Sequence, residues 1–83
     1  MLTIPVTHDL ICEVPQERER CKTKSPHCYI TRNKKIVAIV YINPITIQKG
    51  ADLLEYEKDD VISIVKENQY ELEEEYRRVA NGW

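Results

Sequence analysis

Phenylalanine is absent from this 83-residue chain, tryptophan and methionine occur once each, and glycine occurs twice. With only Gly50 and Gly82 to draw on, the chain cannot form a glycine-rich loop that cradles phosphates, and it has no nucleophile elbow and no Ser-His-Asp set. Long apolar runs are missing too. The longest, Ile36 to Ile42, falls far short of the ~20 residues needed to cross a bilayer. The start, Met1-Leu2-Thr3-Ile4-Pro5, has neither a basic n-region nor an apolar h-region, so no export is expected and the cytoplasm is the expected compartment. Cys12, Cys21 and Cys28 are odd in number and include no Cys-x-x-Cys pair. Reduced structural thiols are therefore expected, with no metal site and no cofactor. These absences exclude a membrane span, a disulfide scaffold, a repeat array and a multidomain enzyme. A single domain over residues 1–83 is expected.

Apolar residues make up 42% of the chain and charged residues 31%, a balance that supports a folded core. The net charge of −2 hides an asymmetry. Residues 1–50 carry eight basic residues against four acidic, and residues 51–83 carry four against ten. A basic half beside an acidic half suits a nucleic-acid face plus a self-neutralising helix. It equally suits two solvated surfaces that merely differ, and a pI near 5.7 favours the second.

Residues 8–14 alternate Leu10, Cys12 and Val14 with polar neighbours, the pattern of a half-buried strand. Pro15 ends it, and residues 16–25 read as an exposed, highly charged connection. His27 to Arg32 forms the next strand after Pro26. Asn33-Lys34 suits a tight hairpin turn, because asparagine tolerates positive φ. Lys35 to Ile42 is β-branched on both faces, with Ile36, Ala38, Val40 and Ile42 on one and Val37, Ile39 and Tyr41 on the other, so it reads as a central strand. After Asn43-Pro44, residues 45–48 make a short further strand.

The last third is helical. Val61, Val65, Leu72, Tyr76 and Val79 fall on a 3.6-residue period, broadened by Ile62 and Ile64. Acids at the start (Glu55, Glu57, Asp59, Asp60) and Arg77 and Arg78 at the end suit the macrodipole. Glu73–Arg77 and Glu74–Arg78 are spaced as i,i+4 pairs, and Gly82 is placed as a C-terminal cap. A helix from Glu57 to Ala80 would run about 36 Å, and its stripe weakens at Glu67-Asn68-Gln69, where a kink or a division into two helices is expected. The expected fold is thus α+β and two-layered, with an antiparallel sheet of three to four strands followed by a long C-terminal helix kinked near Asn68. One stripe covers one sheet face. The other (Val37, Ile39, Tyr41) needs a second copy, a cognate protein, or residues 1–6 folded across it.

The segment Pro26-His27-Cys28-Tyr29-Ile30, the strand Lys35 to Ile42 and the helical stretch Ile64 to Tyr76 together resemble the small bacterial proteins grouped as domain of unknown function 4160. That family carries a Pro-Pro-His-Phe-His-Val type motif at a strand start, an apolar strand and a C-terminal helix. The resemblance covers roughly residues 8–80. The family's second histidine falls on Tyr29 here and its late helical tryptophan on Tyr76, so a His-x-His couple would be half lost. Such proteins look like partners in toxin–antitoxin-type gene pairs, which implies that context for this chain.

Two functions of different class follow. In the first, an RNA-directed toxin, His27 is the general acid or base, Tyr29 shares its strand face two residues on, and Arg32 stabilises developing charge, with Lys34 and Lys35 holding phosphates. The competing reading makes His27 a packed structural residue. In the second, the chain is a non-catalytic interaction or regulatory module that binds through Lys34, Lys35, Val37, Ile39 and Tyr41, as a dimer or an antitoxin-like partner. The acidic stretch Glu71 to Glu75 then either shields a basic partner or is simply a solvated face.

Overall fold

Strand propensity is concentrated in the β-branched run at the centre of the chain, and the sheet is built around it. The computed structural model describes residues 2–7, 9–16 and 25–81. Five strands follow one another: β1 (Thr3–Pro5), β2 (Leu10–Glu13), β3 (His27–Arg32), β4 (Lys35–Ile42) and β5 (Ile45–Ile47). They pair antiparallel in the order β1-β2-β3-β4-β5, each beside its neighbour in sequence. Two helices close the chain, α1 (Glu55–Glu67) and α2 (Gln69–Asn81).

The fold is α+β, as expected, with five strands in place of three to four and two helices in place of one. The additional strand is β1. Its three residues are too few to show a period, yet they pair with β2 (Ile4 opposite Cys12) and extend the sheet rather than crossing its face. Pro5 is tolerated there because an edge strand has one side free of ladder bonds. The expected charged connection falls on residues 17–24, and the expected Gly82 cap and Cys21 also lie outside the described residues.

The helix divides at Asn68. Its side-chain amide donates to the Ile64 carbonyl at 2.8 Å, the bond that a continuing helix would have made with backbone alone. Its φ of −114° is no longer helical. Helix α2 restarts with the Leu72 N–H on the Asn68 carbonyl at 2.9 Å, and the Gln69 amide ties that start to the Ile42 carbonyl at 2.7 Å.

Alternation assigns the faces. Leu10, Cys12, Cys28, Ile30, Ala38, Val40 and Ile42 face the helices and form one buried cluster with Val61, Val65, Leu72, Tyr76 and Val79. The five residues of the helical stripe are all buried, whereas Ile62 is 40% exposed. The expected alternation along β4 breaks at its start. Thr31 pairs with Ile36 while Ile30 pairs with Ala38, so the register skips at Val37. Such a bulge reverses which side chains face out. Ile36 joins Ile39 and Tyr41 on the outer face and is 54% exposed, and Val37 instead packs against the core. No helix of the described residues is long and apolar enough to cross a membrane.

Candidate functional site

Strand β3 carries the expected catalytic residues, and its period-two alternation separates them. His27 and Tyr29 lie on the outer face, and Arg32 lies on the helix face at the far end of the strand. Five residues of strand separate His27 from Arg32, roughly 16 Å.

His27 opens β3 opposite Tyr41 and is 4% exposed. Three tyrosine rings surround it, with centroids at 5.6 Å for Tyr29, 6.1 Å for Tyr41 and 5.2 Å, edge-on, for Tyr76 of α2. Its Nδ1 lies 2.8 Å from the Ser25 carbonyl. A carbonyl only accepts, so Nδ1 carries the proton and the lone pair is on Nε2. The arrangement holds the ring rigidly in one tautomer.

Arg32 is committed elsewhere. Its Nη2 bonds Glu57 Oε2, and its Nε lies 3.3 Å from Asp9 Oδ2. Glu57 is the third residue of α1 and nearly buried. Its other oxygen accepts the Leu54 N–H at 2.9 Å, the reciprocal half of a capping box. That backbone bond and the Arg32 guanidinium hold the Glu57 carboxyl below the usual carboxylate range, and Glu57 in turn raises Arg32. The three charges pin the β2 and β3 ends to the first turn of α1 beside an open cleft of about 420 Å³. The acids at the helix start are legible in sequence as a macrodipole effect. Which of them turns inward depends on an arginine 25 residues away.

Lys34 and Lys35 are exposed at the β3–β4 turn. Both turn residues have positive φ, 52° at Asn33 and 66° at Lys34, as a two-residue hairpin turn of this hand requires. Ile39 and Tyr41 are half-buried on the outer face. The large exposed apolar side chains on the described strands are Ile11, at 41%, and Ile36. Both flank Thr31 in register. Beside Ile11 lies a cleft of about 360 Å³ that Asp9, Glu13, Asn33 and Lys34 also line. The structure thus groups His27 with Tyr29 and Tyr41, and sets Arg32, Lys34 and Lys35 apart from them.

On the helix face, Cys12 and Cys28 are buried free thiols. Their mutual hydrogen bond, with burial, pushes the Cys28 thiol strongly up, so neither has the thiolate character of a nucleophile. Among the described residues no group of three or more His, Cys, Asp or Glu side chains is placed to hold a metal ion. Comparison of the chain with protein-family models, curated proteins and solved structures returns no significant match.

Proposed function

We propose that this chain is a protein-interaction module, working through the outer face of its sheet as a non-catalytic component of a toxin–antitoxin-type pair. The observation that carries the reading is the exposure of Ile11 and Ile36 on a face that neither helix covers. Isolated surface isoleucines are ordinary, but two that flank one strand beside half-buried Ile39 and Tyr41 make a contiguous patch of the kind partners cover. The pairing of Arg32 with Glu57 and Asp9 supports the same reading, since a guanidinium held by two carboxylates has little positive charge left for a phosphate. The toxin–antitoxin context and membership of the domain-of-unknown-function family rest on the Pro26–Ile30 and helical resemblances alone.

One observation favours the RNA-directed alternative. The Nδ1–H bond to Ser25 leaves His27 Nε2 in the form a general base needs. Induced expression in a bacterial host separates the two. The interaction reading expects unimpaired growth from soluble wild-type chain and from His27→Ala alike. Growth arrest by the wild type that His27→Ala relieves would overturn it and install the RNA-cleaving reading.

A further inference from the structure

We infer that the partner covering the outer face is a second copy of this chain, docked face to face about a two-fold axis that runs along β3. This rests on the interaction reading above and names its partner. A two-fold axis lying between two facing sheets makes each residue on one side of the axis meet the residue at the mirrored position of the other copy. With the axis along β3, β2 of one copy therefore lies over β4 of the next.

The register places complementary groups at those positions. Ile11 and Ile36 both stand opposite Thr31, one strand to either side, so Ile11 of each copy meets Ile36 of the other and both contacts occur twice. The most exposed side chain of the face, Ile36 at 54%, then enters the cleft of about 360 Å³ beside the partner's Ile11. The charges follow the same geometry. Asp9, two residues before Ile11, and Lys34, two before Ile36, come together across the axis, acid over base. Facing sheets of an ordinary dimer meet through side chains of this kind in interdigitated rows. A patch that holds both a knob and the hollow for it, with opposite charges at mirrored positions, fits itself better than it fits an unrelated surface.

The test uses the full chain and sedimentation velocity over a concentration series. Wild type is expected to shift from monomer to dimer below about 500 µM. Ile11→Lys and Ile36→Lys should each weaken the dimer roughly tenfold or more, because each removes an apolar contact made twice and sets a charge in its place. Ile62→Lys, at an exposed isoleucine on α1, should leave it unchanged, with far-UV circular dichroism confirming that every variant is folded. Mixing Ile11→Cys with Ile36→Cys chains under mild oxidation should give a cross-linked heterodimer in excess of either homodimer. A wild-type monomer throughout the series overturns the proposal, as does a dimer that survives both lysine variants. Neither result touches the interaction reading, which falls only to growth arrest relieved by His27→Ala.

Discussion

The Glu57 carboxylate serves two elements at once, capping α1 through the Leu54 N–H and holding Arg32 of β3. Its folded-state pKa lies below the ordinary glutamate value of about 4.3, for the backbone bond first and the guanidinium second. A depressed carboxylate contributes stability that is complete above the unfolded value and is lost as pH falls through the folded one. Urea midpoints measured from about pH 6 down to about pH 3 should therefore fall for the wild type. Glu57→Gln should begin lower and show a flatter acid limb. Parallel curves for the two proteins would remove Glu57 as the source. At this scale the sequence is half legible. His27 and the tyrosine two residues on can be read as neighbours on one strand face, because a strand's period is fixed. The pairing of Arg32 with Glu57 cannot, because it depends on how α1 returns over the sheet.

Between β3 and β4, the two-residue turn needs positive φ at both positions, and asparagine supplies only the first cheaply. Lys34, at φ 66°, holds a conformation that costs a side-chain-bearing residue about 1–2 kcal/mol. Lys34→Gly removes that cost and incurs part of it again as backbone entropy. A net stabilisation of about 0.5–1 kcal/mol is expected, visible as a higher urea midpoint at unchanged slope. An unchanged or lower midpoint would show that Lys34 makes a compensating contact. The hairpin, β3, β4 and the division at Asn68 were all readable from turn residues, β-branched runs and a fading apolar stripe. The bulge at Val37 was not. It leaves the residue types untouched and shifts only the register, so Ile36 looks in sequence like a core residue beside Ala38. The three-residue β1 was equally hidden, because its order comes from β2 and not from its own composition.

For the molecule as a whole, one buried cluster joins the sheet to both helices, and a domain of this size has only a few kcal/mol of stability to lose. Leu72 is fully buried in that cluster, from the last helix. Leu72→Ala should cost about 2–5 kcal/mol, enough to leave a large unfolded fraction at 37 °C. Thermal unfolding followed by circular dichroism measures it, and a midpoint within a few degrees of wild type would mean that the helices are dispensable to the core. Layering and fold class were legible from period alone. The occupant of the outer face was not, since nothing in a single chain's pattern distinguishes a surface covered by a partner from one left to water.

The meander has a further consequence for how the protein is made. Because spatial order repeats chain order, each strand can pair with its predecessor as soon as it leaves the ribosome, with no wait for a distant segment. The cover for the apolar side of that sheet comes last, in α1 and α2. A nascent chain that has reached Gly50 is thus a nearly complete sheet with its future interior bare, the state most prone to stick to its neighbours. Synthesis of the final thirty or so residues is the interval in which this small protein depends most on the cell's folding machinery.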